Sequence, residues 1–211
     1  MKSPVIFYHL WPVGEWERVN KNIFSKIVES GLSNSISKMY ICVNSDIDFS
    51  LIELHNIPSE KVEFIRVPNT NSEWPTLDKM YSTFINDKDV PILYLHCKGA
   101  RFTEKDFTYK SVISWVDGMS YYNVTKWRSC ISYLEQGRLS VGIRVARMPV
   151  PHYSGNFWWI NSNSLSLLIN PKTTDHSVNN RYGAEFWIGR LGINNLFDVD
   201  MKRLQFNYNN V

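Results

Sequence analysis

The feature that most constrains the fold is an uncharged apolar run that occurs twice and each time reaches a histidine. Val5-Ile-Phe-Tyr-His9 lies near the start, and Ile92-Leu-Tyr-Leu95 leads into His96-Cys-Lys98-Gly99. Short runs of this kind fit buried strands. Between them the pattern alternates. Glu15 to Ser30 predicts a helix, with Trp16, Val19, Ile23, Ile27 and Val28 at helical spacing and Gly31 as its stop. Met39–Val43 and Val62–Val67 predict two more strands. Pro75-Thr76 opens a second helix, with Leu77, Met80, Tyr81, Phe84 and Ile85 on one face.

Beyond Gly99 the spacing predicts a long, partly helical region from Phe107 to Glu135. Strands follow at Val141–Val145 and Gly155–Ile160, with short helices from Ser162 and over Gly183–Leu191. This order predicts an α/β fold, a mainly parallel sheet flanked by helices on both faces. No repeat or linker divides the chain, so residues 1–211 are expected to form a single domain. The closing Asn-Tyr-Asn-Asn-Val shows no terminal element, as in one module of a longer polypeptide.

Composition removes several function classes. The net charge of +3 is scattered, with no Lys/Arg block, so nucleic acid is not an expected partner. The N-terminal apolar stretch is broken by His9, Pro12 and Glu15. No segment approaches the roughly 18 uninterrupted apolar residues of a membrane span, and neither a leader nor a span is expected. Cys42, Cys97 and Cys130 are far apart and odd in number, which suits reduced thiols in a cytoplasmic protein better than a zinc cluster. No Gly-x-Gly-x-x-Gly follows the first strand and no P-loop occurs, so a dinucleotide-dependent redox reaction is disfavoured.

In mainly parallel sheets, ligands sit outside the carboxyl ends of the strands. Three such ends stand out: His9-Leu10-Trp11, His96-Cys97-Lys98-Gly99 and the stretch His152-Tyr-Ser154-Gly155-Asn156. His96 and Lys98 form a cationic pair suited to a diphosphate, or a backbone-bonded His beside a rim Lys. His152, Ser154 and Asn156 can hydrogen-bond sugar hydroxyls, and Gly155 allows close approach. Trp158 and Trp159 point to opposite faces of a strand, so one could meet a sugar while the other packs in the core. Glu185 sits in an aromatic helix, either as a functional carboxylate or paired with Arg181 or Arg190. Thr76 and Asp78 cap and stabilise a helix start, or help bind a nucleoside.

These segments together resemble a family of small GT-A-type glycosyltransferases of bacterial polysaccharide clusters and large DNA viruses, including an N-terminal domain of a multidomain chlorella-virus protein. The resemblance is carried by Trp74-Pro-Thr-Leu, Leu93-Tyr-Leu-His96-Cys-Lys98-Gly99, His152-Tyr-Ser-Gly155-Asn156-Phe-Trp158-Trp159 and Arg181-Tyr-Gly-Ala-Glu185-Phe-Trp. It implies a UDP-sugar donor held by His9, Leu10, Trp11, Thr76, Asp78, Lys79, His96, Lys98 and Gly99. It implies a glycan or glycoprotein acceptor near Ser154, Gly155, Asn156, Trp158 and Arg181, with Glu185 and His152 as catalytic residues. The family's Asp-x-Asp, which binds Mn²⁺ or Mg²⁺, is replaced by His96-Cys97-Lys98. Metal dependence is therefore expected to be weak, with His96 as the one candidate ligand. The alternative from another class is a non-catalytic carbohydrate-binding domain. A nucleotidyltransferase would need a Gly-rich basic loop that Leu10 to Gly14 does not supply.

Overall fold

The structure is a computed structural model that describes residues 1–70, 72–173 and 180–200. In chain order come β1 (Val5–Leu10), α1 (Trp16–Glu29), the single turn α2 (Leu32–Ser35), β2 (Lys38–Val43), β3 (Val62–Arg66), α3 (Trp74–Phe84) and β4 (Pro91–His96). Then follow α4 (Tyr109–Ser120), a π-turn over Tyr121–Thr125, α5 (Trp127–Glu135), β5 (Ser140–Gly142), β6 (Val145–Ala146), β7 (His152–Tyr153), β8 (Trp158–Asn161), α6 (Asn180–Phe186) and β9 (Leu196–Asp198). The main sheet has seven strands in the order β3-β2-β1-β4-β8-β5-β9, and β6 and β7 form a separate ribbon. β8 runs antiparallel to both its neighbours, and the other adjacent pairs are parallel. The expected mainly parallel α/β architecture is the one observed.

β1 and β4 lie side by side inside the sheet, and every residue of both is buried. That explains their unbroken apolar sequence. Strand alternation sends Ile6, Tyr8, Leu10, Leu93 and Leu95 to one face, where α1 supplies Val19, Ile23 and Ile27. Val5, Phe7, Ile92 and Tyr94 go to the other, where α3 supplies Trp74, Leu77, Met80 and Phe84. The chain leaves β1 toward β2 and β3, then crosses back to place β4 on the opposite side of β1. This reversal of strand order is where α/β sheets open a crevice at their carboxyl ends.

The structure differs from the sequence-based expectation in four places. The strand expected over Val141–Val145 is two short strands, broken at Arg144 with φ 58°. The expected Gly155–Ile160 strand begins only at Trp158, because Gly155 (φ 95°) and Asn156 (φ 60°) form a turn. Helix α3 starts at Trp74, so Thr76 lies inside the first turn and is not its cap. The helical region divides into α4 and α5 at the π-turn.

Trp158 and Trp159 do point to opposite faces, but both are core. Trp158 is 0% exposed, stacks on Tyr94 with centroids 4.9 Å apart, and lies against Trp187. Trp159 donates its indole N–H to the Asn123 carbonyl at 2.9 Å. The assignment of Trp158 to a sugar platform is thus corrected: α6 and the turn that follows cover its ring.

The loop after β1 is laid directly on the loop after β4. Glu15 N–H donates to the Ala100 carbonyl at 2.6 Å, and a Cβ on Gly14 (φ 55°) would stand 2.4 Å from that same oxygen. Gly137 (φ 89°) has open space where its Cβ would go. Gly137→Ala should cost about 1 kcal/mol of backbone strain. Gly14→Ala should cost clearly more, because backbone must move. Urea unfolding of the two variants checks this through the order of their midpoints.

Candidate functional site

A cavity of about 690 Å³ opens at the carboxyl ends of β1 and β4. Pockets of this volume suit a small molecule or a cofactor. His9, Trp11, His96, Lys98 and Gly99 line it, as do His152, Ser154 and Glu185 from the far side. The two strand-end clusters and the Glu185 helix, separate in sequence, therefore share one space.

Lys98 forms one wall. Its Nζ sits 4.8 Å from the centre of the Trp115 ring, and the Arg144 guanidinium is 5.8 Å from the same ring. No carboxylate of the described residues lies within ion-pair distance of Lys98. Arg101 also lines the cavity. This wall suits an anion.

The floor is a hydrogen-bonded network. His9 and His96 are register partners on β1 and β4. Nδ1 of His9 bonds Thr76 Oγ1 at 2.8 Å. Nε2 of His96 donates to the Gly155 carbonyl at 2.9 Å, a group that can only accept. Glu73, at the start of α3, accepts through Oε2 from Tyr94 Oη at 2.8 Å and Asn156 Nδ2 at 2.7 Å. Asn156 is oriented by the Trp158 indole, which donates to its Oδ1 at 2.6 Å. Opposite, Glu185 Oε1 accepts the Gly155 N–H at 2.5 Å. The two peptide units that flank Gly155 thereby join the end of β4 to α6. Nδ1 of His152 donates to the Val150 carbonyl at 2.8 Å, so its Nε2 is the acceptor.

Burial sets the charge of the floor. It lowers His9 to about 4, against the opposing pull of Glu73. Burial and then the Lys98 ammonium lower His96 to about 3. Both imidazoles are neutral at pH 7, so the 3.6 Å approach of His96 Nδ1 to Glu73 Oε1 is no ion pair. Burial also pushes the Cys97 thiol up to about 12, and it bonds the Trp11 carbonyl.

Several sequence-derived assignments need correction. Leu10 is on the opposite strand face from His9 and packs in the core. Asp78 and Lys79 do not line the cavity. Thr76 faces β1, and Asp78, about 200° further round the helix, pairs with Lys172 at 3.7 Å. Thr76, Gly155 and Asn156 are buried supports that hold the lining residues. Glu185 forms no ion pair with Arg190 or any other described cation, and the side chain of Arg181 lies outside the described residues. The sequence reading missed Glu73, Trp115, Arg101 and Tyr182 as lining residues. Only Glu73 carried a signal, an acid directly before a helix, and that signal reads equally as a dipole partner.

The described residues do not fit a carboxylate clamp for a divalent cation. Among the described residues no three His, Cys, Asp or Glu side chains gather at ligating distance. At the end of β4, His96 Nε2 is committed to Gly155, which leaves Nδ1 as that ring's one donor atom, while Cys97 holds its proton and Lys98 brings positive charge. No described helix is long and apolar enough to cross a membrane.

No protein-family model and no curated protein matches the chain. Among solved structures, it is similar to a protein described as a nucleotide-diphospho-sugar transferase from Desulfovibrio desulfuricans G20. That similarity has 12% identity and a TM-score of 0.47 over 97% of this chain and 78% of the other. It is also similar to a 4-diphosphocytidyl-2C-methyl-D-erythritol synthase, with 10% identity and a TM-score of 0.48 over 94% of this chain and 89% of that one. At these identities the roles of the side chains rest on this chain's own geometry.

The two lowered histidines make stability depend on pH with a definite sign. In the unfolded chain each takes a proton near its ordinary value of about 6.5. In the folded chain each resists until about 4 or 3. Their contribution is fully present above about pH 6.5 and is lost as pH falls toward those lower values. Urea unfolding between pH 7 and pH 4.5 should show this loss, and the His9→Gln/His96→Gln double variant should show a shallower one.

Proposed function

We propose that this chain is a glycosyltransferase that moves a hexosyl or deoxyhexosyl group from a nucleotide sugar, a UDP-sugar in the first instance, to a glycan or glycoprotein acceptor. The observation that carries this reading is the make-up of one cavity at the strand-order switch point: the Lys98 ammonium, with no described acid beside it, on one wall, and Glu185 and His152 on another. The choice of uridine rests on the family resemblance alone.

The chemistry follows from the placement of charge. Glycosyl transfer passes through an oxocarbenium-like state while the leaving diphosphate gains negative charge. Lys98, held on Trp115, would stabilise that charge in the position where other GT-A enzymes rely on a metal. Trp11 and Val13 at the β1 end offer apolar surface to the base. Glu185 is anchored through Oε1 by the Gly155 N–H, which leaves Oε2 to take the proton of an acceptor hydroxyl. His152 Nε2 is a second acceptor on the same wall. In this reading dependence on a divalent cation, Mn²⁺ or Mg²⁺, is weak, because the cationic side chain takes over part of its electrostatic role.

A thermal-shift panel of UDP, GDP, CMP and free sugars tests the reading. Stabilisation by a nucleotide supports the transferase, whereas stabilisation by sugars alone identifies a non-catalytic carbohydrate-binding domain. Lys98→Ala should weaken nucleoside diphosphate binding by about 1.5–3 kcal/mol in calorimetry, with and without EDTA, and unchanged affinity would refute the placement of the diphosphate. Glu185→Gln keeps shape and removes charge. It should leave nucleotide affinity intact and lower turnover about 10²-fold or more; transfer at the wild-type rate would rule Glu185 out as the base.

A further inference from the structure

We infer that Glu73 and His96 form a recognition site for a vicinal diol on the floor of the cavity. The inference rests on the nucleotide-sugar reading and adds the residues that hold the hydroxylated part of the ligand.

The Gly155 carbonyl accepts from His96 Nε2, so the single proton of the neutral ring is on Nε2. Nδ1 therefore presents a lone pair. Glu73 Oε2 is occupied by two donors, Tyr94 and Asn156, and the Asn156 amide cannot be flipped because the Trp158 N–H needs its oxygen. Glu73 Oε1 is left as a second acceptor. These two acceptors stand 3.6 Å apart, too far and of the wrong kind to bond each other. Neither has another hydrogen-bond partner among the described residues, and both side chains line the cavity. The side chains are only 11% and 18% exposed, so bulk water has limited access to satisfy them.

Two convergent acceptors on a nearly buried floor call for a ligand with two adjacent donors. Hydroxyls on neighbouring ring carbons meet that need. A phosphate or carboxylate, which only accepts, is repelled there and is directed to the Lys98 wall instead. The cavity thus sorts one ligand by polarity, anion toward Lys98 and diol toward Glu73 and His96. The ribose of a nucleotide and a transferred hexose both carry this chemistry.

Glu73→Gln is a suitable probe. The new amide must keep its oxygen toward Tyr94 and Asn156, which turns its NH₂ toward His96 Nδ1. The acceptor pair disappears while the network beneath stays bonded. Calorimetric titrations in EDTA would use UDP, GDP and CDP, their 2′,3′-dideoxy forms, UDP-glucose, methyl glucoside and permethylated methyl glucoside. If ribose is the source, the dideoxy form binds wild-type protein about tenfold or more weakly, and Glu73→Gln binds both forms alike. If the hexose is the source, dideoxy and parent nucleotides bind alike, and the variant loses the extra affinity of UDP-glucose over UDP. The dideoxy and permethylated comparisons run on wild-type protein and hold even if the variant folds poorly. Binding of methyl glucoside that depends on Glu73, with no nucleotide binding, overturns the transferase reading and supports the diol site. Equal binding of every ligand pair by wild type and variant, or binding of none of them, overturns the diol site.

Discussion

The hydrogen bonds to either side of Gly155 are the constraint on which the site depends. The carbonyl takes the His96 proton from the end of β4, and the N–H goes to Glu185 on α6. The two flanking peptides present these groups because Gly155 turns with φ 95°, where a Cβ would collide with Met119. One residue thereby fixes the tautomer of an imidazole, the position of a carboxylate and the start of β8. It also explains why the strand that the aromatic run suggests begins three residues later than its sequence implies.

Charge is distributed around that peptide by burial. The interior is too dry to hold a histidinium, so the two strand-end histidines serve as neutral hydrogen-bonding groups. Lys98 lies beyond the strand, where the turn at Gly99 brings it to the indole face of Trp115 and leaves it facing the cavity. The floor therefore accepts hydrogen bonds, and the Lys98 wall supplies positive charge. This division gives the space a direction that a merely hydrophobic pocket would lack.

The supporting elements serve this arrangement at a distance. Gly14 lets the β1 loop close onto Ala100. Trp158 packs on Tyr94 and holds Asn156, whose amide then orients Glu73. An aromatic residue that reads as a sugar platform thus contributes through two hydrogen bonds in series, buried and outside the cavity lining.

The sequence by itself determined the sheet and the strand ends at which the cavity opens. Unbroken apolar strands, amphipathic helices between them and polar residues at strand ends are local patterns with fixed periods, and β1, β4, His9, His96 and Lys98 were legible for that reason. Tertiary structure alone decided which polar residues converge. Glu73 precedes a helix and reads as a dipole partner until Tyr94 and Asn156 are placed beside it. Trp115 reads as one more helical aromatic until Lys98 is laid on its ring. Thr76 and Asp78 are close in sequence, yet a helix turns about 100° per residue, so Thr76 reaches β1 and Asp78 turns away to Lys172. Side chains that meet across the sheet's crossovers are set by packing in three dimensions, and no pattern along the chain records that distance.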